Sequence, residues 1–230
     1  MTGLLKKYFP AWNLFELLWL GTFIVLAVFI SVWTKDNFLG LFTFLTGVFC
    51  VVLTAKGSIY SFWWGYGNIL SYAWIAWQNG LYGETGLNML FFLPVNFAGH
   101  LLWHKNIRKT GSLEMRRLKL WHIAGGLICC TAATLLLGWG LSGISGQNTP
   151  YLDALTNVLS VTAALLLTFR LREQWLCWII LDIFTILMWA IRWYNGSSQG
   201  PIMVLMWSAY LINAFYGWYN WSRNSQEKAK

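Results

Sequence analysis

The sequence predicts an all-α integral membrane protein: eight transmembrane helices arranged as a 3+1+3 parallel-repeat core plus one extra N-terminal helix. Three observations carry that expectation: too little polar side chain for a soluble surface, a series of apolar runs of spanning length, and a lopsided distribution of lysine and arginine. Of 230 residues, 57% are hydrophobic and 18% aromatic, while only 10% are charged, against roughly 25% in an average soluble domain. Seventeen tryptophans and ten tyrosines exceed what a soluble core of this size accommodates, and they suit membrane interfaces and stacking sites.

A spanning helix needs about 20 apolar residues at 1.5 Å rise each. That ruler places spans at 13–33, 37–54, 59–78, 85–103, 120–142, 152–170, 175–194 and 201–221. The first follows Lys6 and Lys7, but its apolar run is too long for a signal peptide and no A-x-A-like cleavage site ends it, so it reads as an anchored helix. With eight spans, fourteen cations fall on the side of the termini and two, Lys35 and Arg192, on the other. The positive-inside rule then puts both termini in the cytoplasm.

The chain also matches itself. Thr46-Gly47-Val48 pairs with Thr156-Asn157-Val158, Trp63 and Trp64 with Trp175 and Trp178, and Trp77-Gln78-Asn79-Gly80 with Trp193-Tyr194-Asn195-Gly196. The ends agree best, because Gly99-x3-Trp103-x2-Asn106 returns as Gly217-x3-Trp221-x2-Asn224. This divides the chain into an extra helix (1–36), a first three-helix repeat (37–103), a basic cytoplasmic loop with a linker helix (104–151), a second repeat (152–222) and a cytoplasmic tail (223–230). Three is odd, so the single span at 120–142 is what lets the two repeats run parallel, a plan known in transporters that bind near the midplane.

A polar side chain in mid-membrane is expensive and should face the bundle interior. The third span carries Trp64, Asn68 and Ser71 on one stripe. The fourth carries Asn88, Phe92, Asn96 and Gly99, with Pro94 expected to kink it and free a carbonyl. The sixth brings Asp153, Asn157 and Ser160, entered through Gln147-Asn148-Thr149-Pro150. In the seventh, Trp175, Trp178, Asp182, Thr185 and Trp189 fall at i, i+3, i+7, i+10 and i+14, one stripe of a helix. The eighth adds Asn213, four residues before Gly217. Together these predict a cage of amides and indoles around one buried acid, suited to a flat, polar, cationic solute.

Other chemistries find little support. The positive charges lie in short runs between apolar segments, so nucleic acid is not an expected partner. Cys50, Cys129, Cys130 and Cys177 all lie within apolar segments without CxxC spacing, which argues against disulfides and zinc. His100 and His104 have metal-pair spacing but straddle the membrane edge without a third ligand, so no metal is expected. There is no phosphate-binding G-x4-G-K-[ST] loop and no HExxH run. No cofactor is expected, and a membrane enzyme using Asp182 as a general base stays open only as a competing class.

Over residues 40–222 the chain resembles the Pnu vitamin transporters. The resemblance rests on Leu81-Tyr82-Gly83-Glu84 with Leu87-Asn88 and Phe91-Phe92-x-Pro94-x-Asn96-x-x-Gly99, and on Gln147-x-x-Pro150-x-x-Asp153-Ala154-Leu155-Thr156. It rests further on Arg172-Glu173-Gln174-Trp175-x-x-Trp178-Ile179 and on Asn213-x3-Gly217-x3-Trp221. It implies a SWEET-like fold in the bacterial inner membrane, a homotrimer with one pathway per protomer, and diffusion of an unphosphorylated vitamin that a separate cytoplasmic kinase traps. Ala164 and Asp182 stand where the riboside-carrying pattern has Gln and Asn. The resemblance therefore implies nicotinamide riboside first, thiamine second, and a neutral nucleoside or riboflavin third, with Trp178, Asp182, Asn213, Asn96 and Asn88 as the leading contacts.

Overall fold

The computed structural model describes residues 12–34, 38–78, 82–143, 150–194, 196 and 200–227. Among them the protein is helical throughout: α1 (Leu14–Thr34), α2 (Phe38–Ala55), α3 (Ser61–Gln78), α4 (Tyr82–Leu87), a π-helical turn (Asn88–Phe92), α5 (Leu93–Thr110), α6 (Leu120–Ser142), α7 (Pro150–Thr168), α8 (Gln174–Tyr194) and α9 (Gly200–Glu227). The described residues form no strand, only an isolated bridge between Arg116 and Leu171. Lys6, Lys7, Lys35, Asn79, Gly80, Leu81, Gln147, Asn148, Thr149, Asn195, Lys228 and Lys230, which entered the sequence reading, lie outside the described residues.

Six described stretches are long and apolar enough to cross a membrane: Leu14–Trp33, Phe38–Ala55, Thr85–Thr110, Leu120–Ser142, Pro150–Thr168 and Gln174–Ile191. Ser61–Gln78 and Gly200–Glu227 match the length but not the apolar level. They carry the indoles, phenols and amides: Trp63, Trp64, Tyr66, Asn68 and Tyr72 in one, Trp207, Tyr210, Asn213 and Tyr216 in the other. The expected span at 85–103 runs on to Thr110, where Gly111 ends it in the left-handed conformation (φ 88°) with its N–H on Ile107 O.

Pro94 acts on the backbone as expected of a residue without an N–H, and the result is a wider turn. The N–H of Leu93 reaches back five residues to Asn88 O. Asn88 is buried within this π turn.

Packing contacts close a ring: α2 on α3, α3 on α5, α5 on α7, α7 on α8, α8 on α9, and α9 back on α2. α1 packs outside this ring on α2 and α9, through a cluster that includes Trp19, Phe23, Phe44, Val48 and Met206. α6 packs on α7, and apart from Gly138 its residues are not buried within the chain.

The start of α1 is fastened by charge. Asn13 and Glu16 form a reciprocal capping box: Asn13 Oδ1 accepts from Glu16 N and Glu16 Oε2 from Asn13 N, both at 2.8 Å. Glu16 also pairs with Lys56 at the end of α2, and both side chains are buried. The Tyr216 hydroxyl donates to Glu16 Oε1 at 2.6 Å, and the Lys56 ammonium lies 4.4 Å from the centre of the Trp12 ring. A buried ion pair is tolerable only when its remaining bonding capacity is used in this way.

Candidate functional site

α2, α5, α7 and α9 finish, and α3, α6 and α8 begin, at one end of the bundle, which carries Lys56, Arg108, Lys109, Arg116, Arg170 and Arg172. At this basic end α2 and α7 stop by the same backbone device. Ser58 N bonds to Leu53 O and Gly57 N to Thr54 O, while Leu171 N bonds to Leu166 O and Arg170 N to Leu167 O. These are Schellman closures, with Gly57 (φ 69°) and Arg170 (φ 61°) in the left-handed region.

Two fully buried indoles use the carbonyls next to those closures. Trp103 Nε1 donates to Leu167 O at 3.1 Å, and Trp221 Nε1 to Thr54 O at 3.2 Å and Ala55 O at 3.1 Å. Each indole meets an aromatic ring edge-on, Phe62 against Trp103 and Trp175 against Trp221. Each aromatic ring in turn lies on a glycine. A Cβ on Gly99 would stand 2.7 Å from Phe62, and one on Gly217 2.5 Å from Trp175.

Segment 111–119, expected as a basic loop, is an ordered strap across this end. Arg116 N donates to Arg170 O at 2.8 Å, Arg172 N to Arg116 O at 2.9 Å, and Leu118 N to Glu173 Oε2 at 3.1 Å. Met115 lies against Gly57, where a Cβ would stand 2.6 Å from its Cε.

Farther into the bundle sits Asp182. It is 2% exposed, and among the described residues it has no hydrogen-bond or ion-pair partner. The Tyr210 hydroxyl of α9 lies in electrostatic range of Asp182, and also of Cys50 on α2 and Tyr72 on α3. The same hydroxyl stands 1.9 Å from where a Gly47 Cβ would be, and Asn68 Nδ2 stands 2.8 Å from that point. Glycine at 47 is what lets Tyr210 and Asn68 converge on α2.

Three of the asparagines singled out from sequence share one habit. Asn68 donates to Thr43 O at 2.9 Å, Asn96 to Phe62 O at 3.1 Å and Asn213 to Val51 O at 2.9 Å, each tying its helix to a neighbour. None of the three side chains makes a further hydrogen bond among the described residues, so their amide oxygens stay available as acceptors. Asn88 is buried in the π turn.

The remaining candidates scatter. Trp178 and Trp189 are half-buried on α8. Trp175 is buried in the indole cluster of the basic end, two turns from Asp182. Asn157 donates to Asp153 O of its own helix at 2.7 Å. Trp64 is 38% exposed and stacks on Phe49 of α2 at 4.6 Å.

Tyr210 is absent from the sequence reading, and Gly47 and Gln174 enter it only within the repeat and family motifs, not as site residues. Tyr210 precedes Asn213 by three residues, which puts both on one helix face and was the available signal. Gln174 follows Arg172-Glu173 and reads as a loop residue until its burial is seen. The described residues contain no group of three or more His, Cys, Asp or Glu placed to hold a metal ion.

An all-helical membrane protein with a closed ring of helices around amides, phenols and an unpartnered acid has the architecture of a small-solute carrier. The comparisons narrow the class. The family model described as nicotinamide mononucleotide transporter matches residues 37–223, and the chain belongs to that family. It is 34% identical over 221 residues to the nicotinamide riboside transporter PnuC of Haemophilus influenzae, covering 95% of this chain and 94% of that protein. It is 33% identical over 223 residues to PnuC of Neisseria mucosa, covering 95% and 84%. A crystal structure described as the vitamin B3 transporter PnuC matches it with a TM-score of 0.83 at 30% identity, over 99% of this chain and 98% of that one.

Proposed function

We propose that this chain is a carrier, not an enzyme, that lets nicotinamide riboside diffuse across the bacterial inner membrane. The relatives of that name, each about as long as this chain, supply the substrate class. The observation that carries the reading in this molecule is Asp182. A carboxylate buried without a cation inside the chain favours a solute that brings its own positive charge, and a pyridinium does. Trp178, one turn from Asp182, offers the ring a stacking surface. Asn213, Asn96, Asn68 and Asn88 offer polar contacts for its hydroxyls. Thiamine, with a fixed thiazolium charge, is the second reading, and Asp182 favours it equally.

The same proposal covers the arrangement. Seven of the eight spans form a 3+1+3 core, in which α2, α3 and α4–α5 are one half, α6 the linker, and α7, α8 and α9 the other half, with α1 as the extra helix. The reciprocal bonds of Trp103 and Trp221 support it, since each ties the last helix of one half to the first helix of the other. The cluster of cations at the basic end supports a cytoplasmic placing of that end and of both termini. The unburied face of α6 supports self-association, as a homotrimer. A cytoplasmic kinase would trap the released riboside by phosphorylation.

The test is uptake of labelled nicotinamide riboside into vesicles holding the purified chain, alongside a thermal-shift panel with thiamine, riboflavin and neutral nucleosides. Saturable entry of unchanged riboside, with the largest shift from that compound, is the expected result. A larger shift from thiamine would move the assignment to the second reading, and chemical conversion of the riboside would overturn carrier function.

A further inference from the structure

Gln174 opens α8 and is completely buried, yet neither its amide nitrogen nor its amide oxygen has a hydrogen-bond partner within the described protein. Trp175 Nε1, one residue on, is also without a partner. Folded proteins satisfy the large majority of such groups, so a side chain with both a donor and an acceptor unused asks for a ligand that offers both. On its other side the chain is satisfied. Glu173 is engaged by Arg172 and by the Leu118 N–H.

The position of Gln174 on α8 says which ligand group it would meet. Gln174, Trp178 and Asp182 follow one another at i, i+4 and i+8, so an amide, an indole and a carboxylate rise along one side of the helix at about 6 Å per step. An aromatic ring lying on Trp178 with its cationic nitrogen towards Asp182 presents its opposite edge to Gln174.

We propose that Gln174 is a specificity-determining residue that reads a primary carboxamide on the ring of the transported solute. A carboxamide has one carbonyl acceptor and an NH2 donor, as glutamine does, and the two close a pair of parallel hydrogen bonds. A carboxylate in the same place has no donor for the Gln174 oxygen and adds a negative charge to a site that already holds Asp182. This assignment rests on the carrier reading and deepens it. It makes the site selective for the amide form of a pyridinium riboside over the acid form.

The experiment is a calorimetric titration of the purified chain and of Gln174→Leu with nicotinamide riboside and with its carboxylate counterpart, nicotinic acid riboside, with unfolding temperatures measured on both proteins. The wild-type chain should prefer the amide by about tenfold or more, the worth of one to two hydrogen bonds. Gln174→Leu should lose that preference while unfolding at the same or a higher temperature, because it removes orphaned polar atoms from the interior. Gln174→Met, which keeps the side chain's length, serves as the second variant and should behave alike. An undiminished preference in a folded Gln174 variant overturns the assignment alone. A wild-type chain that binds neither compound overturns the riboside reading and the assignment with it.

Discussion

The indole nitrogen of Trp103, near the end of α5, donates to the carbonyl oxygen of Leu167, near the end of α7, at 3.1 Å. Trp221 bonds from α9 to Thr54 and Ala55 of α2, and the two indole rings stand 5.8 Å apart at the centre of the basic end. Polar atoms on two buried rings thus reach across the two seams, α5 to α7 and α9 to α2, that close the helix ring. Any opening at this end has to break one of these bonds or move both partners together.

Trp103→Phe keeps an aromatic ring in the cluster and removes the donor. Leu167 O still accepts from Arg170 N at 2.9 Å, so it is not orphaned. The expected loss is therefore near that of a single hydrogen bond, about 1 kcal/mol. Trp103→Ala leaves a cavity as well and should lose about 3–5 kcal/mol. Unfolding of the two variants in detergent, followed by tryptophan fluorescence or calorimetry, orders them. A Phe variant as unstable as the Ala variant would show that the hydrogen bond, not the ring, carries the contact.

Gly217→Ala places a methyl group 2.5 Å from two atoms of the Trp175 ring, which is itself held against Trp221. Neither ring is a flexible tail that swings aside. Overpacking of this kind costs about 1–3 kcal/mol, and Gly99→Ala against Phe62 should behave likewise. Gly125→Ala on α6 is the control, since nothing lies within 4 Å of its added carbon. It should leave the unfolding temperature unchanged or raise it, because alanine is the better helix former.

The two glycines were legible in the sequence because each stands four residues before a tryptophan, Gly99 before Trp103 and Gly217 before Trp221, in a pattern that recurs at the same spacing. The limits of α6 were legible too, since an apolar run with polar flanks has one way to sit in a bilayer. Other features depended on neighbours that one helix does not show. Trp64 has the helical spacing to Asn68 of one stripe, but its stack on Phe49 of α2 is a contact between helices that one helix's pattern does not show. The continuation of α5 to Thr110 passes through His104, Lys105 and Arg108, whose polarity ends an apolar run but does not end a helix. The π turn needs both Pro94 and a carbonyl five residues back, and composition signals only the first.

The buried pair of Lys56 and Glu16 predicts a non-additive cycle. Removing one charge leaves the other buried without its partner, so Lys56→Met and Glu16→Gln should each destabilise by about 3–5 kcal/mol. The double variant should recover much of that loss, because the glutamine oxygen can still accept from Asn13 N at the start of α1 while its NH2 group donates to the Tyr216 hydroxyl. Thermal unfolding of the four proteins reads the coupling. Losses that simply add would mean that the pair does not fasten α1 to α2.

Asp182→Asn separates the two consequences of a buried, unpartnered acid. For folding, the carboxylate is a burden, as charged groups within a membrane bundle are tolerated mainly for function. Asparagine keeps its shape and removes its charge, so the variant should unfold at a higher temperature than the wild type. For binding, the charge is the attraction. Losing it should weaken a cationic riboside by about 10- to 100-fold, or ~1.4–2.8 kcal/mol, while a neutral, reduced-ring analogue of the same shape should change by less than about threefold. Calorimetric titration of both compounds on both proteins, with unfolding temperatures beside them, measures the exchange. Gained stability together with selective loss of the cation identifies Asp182 as the counter-charge of the cargo. Equal losses for the two compounds would reduce it to a hydrogen-bonding group that asparagine only partly replaces.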